Sequence, residues 1–166
     1  MARLVLIDAS PLIGLAMVDG LAWLPALFGT VWVPPTVERE VLPGVGAPGE
    51  AEIARALRRK QVRVWKKAIP APQMPLPDLD AGETECLHLA IAAGPQQALV
   101  LMDERAGRAV AAERGVLVAG TAALIGMAKK RGLIEAAKPL FARLHGSDFR
   151  ISAAVIRHVL QDAGEA

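Results

Sequence analysis

Six carboxylates carry the chemistry this chain is able to do. Asp8 ends the apolar run LVLI at 4–7, and the pair Asp103-Glu104 ends a second run, LVLM at 99–102. Glu40 follows a β-branched stretch, and Glu83 and Glu85 fall in the first turns of a later helical segment. A continuous apolar run suits a strand buried on both faces of a parallel sheet, and an acid at its exit sits at the C-terminal edge, where open α/β sheets bind ligands. All of these acids can converge at that edge. Carboxylates gathered within a few ångströms repel one another unless protons or a cation neutralise them. Mg²⁺ or Mn²⁺ suits such a group, because hard ions prefer carboxylate and water oxygens. A metal held there can activate water and stabilise charge on a phosphate during in-line attack, so phosphodiester hydrolysis is the matching chemistry.

Other chemistries find no support. Cys86 is the single cysteine, which excludes an intramolecular disulfide and a zinc-type cysteine cluster. His88, His145 and His158 are widely spaced and form no HExxH pattern. A Walker lysine motif, GxGxxG and GxSxG are all absent. Several acids also fit structural roles. Glu83 stands three residues after Asp80, the spacing of a capping box. Asp8 and Asp103 can cap the helices that follow them, Glu38 fits a solvated surface, and Ser10 fits an N-cap or a phosphate contact.

Strand and helix signals alternate around these acids. Strand patterns fall at 3–8, 30–33, 61–65, 98–103 and 116–119, the third edge-like. Helices are predicted at 11–17 after Ser10-Pro11, at 21–28, from Thr36 as cap to about 41, and at 50–60. Further helices are predicted at 80–93, 104–114 and 122–131, with amphipathic helices near 136–144 and 152–162. Four prolines make 68–79 an extended connector and not a domain linker. This order predicts an α/β chain with a parallel sheet covered on both faces.

The composition sets limits. At 166 residues the chain fits one domain with a substantial core. It is 53% hydrophobic, high enough that a membrane location must be tested. No apolar run reaches the roughly 18 residues a spanning helix needs, since Pro11, Asp19 and Pro25 interrupt the best candidate. A cytoplasmic protein is expected. The net charge is only +2, but basic residues crowd into 55–67 and 129–131. They read either as a solvated helix face or as a phosphate-contacting patch, with Arg55, Arg59 and Lys130 as candidate contacts to a phosphate backbone.

The stretches LVLIDASPLIGLA, VPPTVEREVL, LDAGETECLHLAIA and LVLMDERAGRAVAAERGVLVAGTAALIGMAKKRGLI resemble a PIN domain. More narrowly they resemble the VapC-like ribonuclease toxin branch of the DUF3368 type, whose tail KPLFARLHGSDFRISAAVIRHVLQDAGE also looks similar. The resemblance implies a three-layer α/β/α fold with a central, mostly parallel sheet: one PIN-like nuclease domain over 1–166 with a helical tail at about 136–162. It implies a metal-dependent endoribonuclease, the toxin of a toxin–antitoxin pair, using Mg²⁺ or Mn²⁺. Carried onto this sequence, the acids are Asp8 with Ser10 beside it, Glu40, then Glu83 or Glu85, then Asp103 or Glu104. Many relatives carry two aspartates at the last position, where this chain has Asp-Glu. Arg108 matches a basic position that contacts phosphate or braces the acids. Expected partners are RNA, an antitoxin protein and a second copy in a homodimer, the last in keeping with Trp23, Trp32 and Trp65. The alternative is a PIN-like scaffold that binds RNA or a partner without cutting. A small-molecule α/β enzyme ranks last.

Overall fold

The computed structural model describes residues 4–72 and 75–165. Arg3, assigned above to the first strand, and Gln73-Met74 in the proline-rich connector lie outside the described residues. Five strands form one sheet: β1 (Leu4–Ile7), β2 (Trp32–Val33), β3 (Arg63–Val64), β4 (Ala98–Leu101) and β5 (Leu117–Ala119). Their order is β3-β2-β1-β4-β5, and every pairing is parallel. β1 is central and has no polar residue, because helices cover both faces of the sheet. Its register places Ile7 opposite Leu101, and the Asp8 N–H continues the ladder by donating to the Leu101 carbonyl at 2.9 Å. The chain moves outward one way from β1 to β3 and the other way from β4 to β5. The strand order therefore reverses between β1 and β4, and such a switch point opens a crevice at the C-terminal strand ends. Asp8 and Asp103 follow those two ends.

Nine helices among the described residues flank the sheet: α1 (Ala9–Met17), α2 (Trp23–Phe28), α3 (Pro35–Val41), α4 (Glu50–Arg58), α5 (Ala81–Ala93), α6 (Arg105–Glu113), α7 (Thr121–Lys130), α8 (Lys138–Gly146) and α9 (Ala153–Asp162). Helix α5 packs on β1 and β4, and α6 packs on β5 and α5. Helix α1 meets α3, α4, α7 and α8, while α9 lies on α7. The core between them includes Leu6, Ile7, Leu12, Leu15, Leu87, Leu101, Met102, Leu124 and Ile125, all fully buried. Glu165 accepts from the Ala137 N–H at 2.6 Å and the Lys138 N–H at 3.2 Å, which ties the chain's end to the start of α8. Among the described residues no helix is long and apolar enough to cross a membrane.

Two predicted caps are corrected. Helix α1 begins at Ala9, so Asp8 holds the N-cap position and Ser10 lies inside the first turn. Helix α3 begins at Pro35 with Pro34 as N-cap, so Thr36 is not the cap. Proline at N1 loses no hydrogen bond there, and the helix starts two residues earlier than predicted. The strand near 61–65 is shorter than predicted but does form the sheet's edge, donating from Arg63 and Trp65 to the Val31 and Val33 carbonyls.

Candidate active site

The switch-point edge gathers acids from β1, α3 and α5. Asp8 arrives at the end of β1 and is 4% exposed; Glu83 comes from the first turn of α5 and is 3% exposed. Glu40 comes from the last turn of α3, and Asp80 is the N-cap of α5. Gly82 lets these elements close. A Cβ built on it would stand 3.0 Å from Asp8 Oδ1 and 3.2 Å from Glu40 Oε1, so both carboxylates face the same bare backbone. Gly107 in α6 does the same for Glu83, whose Oε1 would lie 3.4 Å from a Cβ there. Asp78, Asp80, Glu83 and Glu104 line an open acidic pocket of about 430 Å³ beside this point.

Crowded, desolvated carboxylates hold their protons more tightly. Burial pushes the Asp8 carboxyl up from an ordinary 3.8 to about 7; the Ala9 N–H opposes this, and the charges of Asp80, Glu83 and Glu40 add to it. Burial also raises Glu40, with Asp80 and Glu85 contributing. Glu83 is raised by burial and by Asp80, Glu104 and Glu40, against a lowering from the Asp80 N–H. The capping geometry at Glu83 is therefore real, and its carboxyl is shared between that cap and the acidic cluster. Asp80 Oδ1 accepts from the Glu83 N–H at 2.8 Å, while the Glu83 carboxyl stays inside the acidic cluster.

Glu85 and Asp103 are held differently. Glu85 accepts from the Thr36 N–H at 2.9 Å and from Thr36 Oγ1 at 2.7 Å, which closes the start of α3. Asp103 does not cap the helix that follows it, where Glu104 holds the N-cap position. It accepts from Thr121 N at 2.7 Å, Thr121 Oγ1 at 2.8 Å and Ser10 Oγ at 2.7 Å. Thr121 begins α7, so Asp103 faces the positive end of that helix dipole. Ser10 acts as a brace for Asp103. Arg108 passes over Gly120 beside Asp103, and its Nη1 reaches the Met102 carbonyl at 3.5 Å. Ser10, Asp103, Glu104, Arg105, Arg108 and Arg150 line a groove of about 1070 Å³ running off from the acids.

The remaining candidates lie elsewhere. Arg55 and Arg59 line a shallow hollow with Asp19 and Glu52 beside α1. Lys130 is ion-paired to Asp162 of α9. The sequence reading missed Asp80 as a member of the cluster. Its capping role hid it, although an N-cap residue and N3 share one helical turn and so one location. It also missed Thr36 and Thr121 as braces, whose partners are 49 and 18 residues away.

A hard divalent cation fits the donor set on chemical grounds. Two nearly buried carboxyls and a third beside them favour neutralisation, and every available donor is oxygen. The neighbouring Cys86 thiol is fully buried, and burial and the nearby acids push it up, which disfavours the thiolate. Among the described residues, however, no three His, Cys, Asp or Glu side chains are placed to hold an ion as they stand. Binding would require side-chain rotation within the cluster.

The family model DUF3368, described as a PIN domain, matches residues 4–165. No curated protein and no solved structure matches the chain. The match points to a nuclease-type function in general, with divalent metals typical of such domains. It spans the acids of β1, α3, α5 and β4 alike, and the protein belongs to the DUF3368 family of PIN domains.

Proposed function

We propose that this chain is a Mg²⁺- or Mn²⁺-dependent endoribonuclease acting as one nuclease domain. The observation that carries the reading is the cluster at the sheet's switch point: Asp8 and Glu40 both face the bare backbone of Gly82, Glu83 is nearly buried in the first turn of α5, and burial raises the proton affinity of all three. These three are the proposed metal ligands, with Asp80 and Glu104 bordering them. A bound ion there supplies charge neutralisation and Lewis-acid activation at a phosphodiester. Asp103 holds the adjoining wall through Ser10 and Thr121. Arg108, which lines the adjoining groove, is the proposed phosphate contact. Burial and the neighbouring acids favour a protonated or cation-bound Asp8, so protons compete with a cation for the cluster and cation uptake strengthens as pH rises.

The finer reading, a toxin with an antitoxin partner and a homodimeric assembly, is supported by the resemblance of the motifs alone. A non-cutting scaffold is the second reading. It is favoured by the absence, among the described residues, of a ready-made group of three metal ligands. Cleavage of single-stranded RNA by purified protein with Mn²⁺ separates the two. The nuclease reading expects cleavage by the wild type and at least a hundredfold loss in Asp8→Asn, with circular dichroism unchanged. Equal cleavage by the variant overturns the role of Asp8, and no cleavage by either protein favours the scaffold.

A further inference from the structure

The basic residues of 55–67 do not form one patch. Arg55 and Arg59 face the hollow near α1, whereas Lys60, Arg63, Lys66 and Lys67 line a separate groove of about 490 Å³ along β3. That volume lies within the roughly 300–1,000 Å³ that ligand pockets span. Its aromatic wall is Trp32 and Trp65, edge to face with centroids 5.4 Å apart, and Lys67 Nζ lies 5.9 Å from the Trp65 centroid. Glu38 is the one acid in the lining.

Three features mark this groove as built for a ligand. First, all four cations are exposed, and none is in an ion pair among the described residues. Arg63 sits in β3, Lys60 precedes it and Lys66 and Lys67 follow it, so four like charges gather on one groove with Glu38 as the only acid in its lining. Second, Trp65 Nε1 is buried with no hydrogen-bond acceptor, a donor that folded proteins rarely leave unmatched. Third, Lys60 adopts φ +59°, the left-handed region that favours glycine. It is the residue just past the end of α4, where the Lys60 N–H meets the Leu57 carbonyl at 3.1 Å and the Gln61 N–H meets the Ala56 carbonyl at 2.9 Å. That is a Schellman ending, and glycine is its ordinary occupant. A lysine there costs stability and places a cation on the groove.

Cations interleaved with indole rings suit a single-stranded nucleic acid, with phosphates on the cations and bases against the rings. The location suits it as well. Trp65, Lys66 and Lys67 follow the C-terminal end of β3, on the same edge as the acids, and β3 lies two strands from β1, about 10 Å across the sheet. Helix α3 joins the two places, presenting Glu38 to the groove and Glu40 to the acidic cluster.

We propose that the β3-edge groove formed by Trp32, Trp65, Lys60, Arg63, Lys66 and Lys67 is a second binding site for the RNA substrate, gripping single-stranded nucleotides that flank the cleavage point. This rests on the ribonuclease reading for the identity of the strand. An acidic peptide pairing with the β3 edge is the competing occupant.

The test is fluorescence anisotropy of a labelled single-stranded RNA 12-mer with the full chain in EDTA, where cleavage cannot interfere, repeated over a range of salt. The Lys66→Glu/Lys67→Glu variant is expected to bind at least tenfold more weakly. Its plot of log affinity against log salt should be shallower by about 1.4, since each lost phosphate contact on a single strand removes about 0.7. Lys60→Gly is expected to melt about 2–4 °C higher and yet bind RNA more weakly, because it relieves the backbone and removes a contact. Unchanged RNA affinity and slope in the double variant, with circular dichroism showing an intact fold, overturns the proposal in favour of another occupant. If the wild type never cuts RNA with Mn²⁺ while the double variant still loses RNA affinity, the nuclease reading falls and the groove stands.

Discussion

Asp8 shows how little of a carboxylate's behaviour lies in its residue type. Its ordinary value is 3.8, and burial among other acids moves it to about 7. The sign of the resulting pH dependence follows from proton counting. The folded chain keeps the Asp8 proton up to about pH 7, while the unfolded chain loses it near 3.8. Unfolding therefore releases a proton between those values, and stability without metal falls as pH rises through that window and levels off above it. Glu40 and Glu83 shift in the same direction and reinforce the trend. Thermal unfolding in EDTA is expected to give a lower Tm at pH 8 than at pH 5.5; a higher Tm at pH 8 contradicts the electrostatic account. Residue identity separates Glu83 from Glu85 in the same way. Glu83→Gln removes a repelled charge and is expected to hold or raise stability at pH 8. Glu85→Ala unties Thr36 at the start of α3 and is expected to cost about 0.5–2 kcal/mol in urea unfolding. The acids themselves were legible in sequence from their places after apolar runs and at helix starts. The choice between Glu83 and Glu85 was not, because spacing along α5 says nothing of which carboxyl meets Thr36 and which meets Asp8.

Elements place these side chains by close approach. Gly120, the N-cap of α7, lies where a Cβ would be 2.8 Å from both Arg108 Nη1 and Asp103 Oδ1. Arg108 is exposed and can swing away, but Asp103 is fixed by three hydrogen bonds. Gly120→Ala is therefore expected to cost about 1–3 kcal/mol and to lower RNA cleavage by displacing Asp103. Urea unfolding and a cleavage assay check both effects, and an unperturbed variant means that Asp103 is not held as described. Strand and helix order were readable from periodicity and from Gly and Pro punctuation. The caps were not: Ser10 and Thr36 have the right side chains for N-caps, yet their hydroxyls go to Asp103 and Glu85, 93 and 49 residues away. A local rule cannot see a distant acceptor that competes for the same hydroxyl.

At the scale of the molecule, the sheet order turns scattered acids into one cluster. Reversal between β1 and β4 brings Asp8 and Asp103 to one edge, and α3 and α5 deliver Glu40, Asp80 and Glu83 beside them. The parallel sheet was foreseeable from strand–helix alternation, but the division of the basic run into two surfaces was not, because it depends on where α4 ends and β3 turns. A net charge of +2 conceals this polarity, with acids at the switch point and cations along β3. Uptake of a hard cation by the acidic cluster is the central requirement of the proposed chemistry. Calorimetric titration of Mn²⁺ into the apo protein at pH 8 tests this most directly, alongside Glu83→Gln and Glu85→Gln. The expected result is saturable binding by the wild type, at least tenfold weaker binding in Glu83→Gln, and near wild-type binding in Glu85→Gln. Absence of specific heat in the folded wild type, or loss of binding in Glu85→Gln alone, would contradict it.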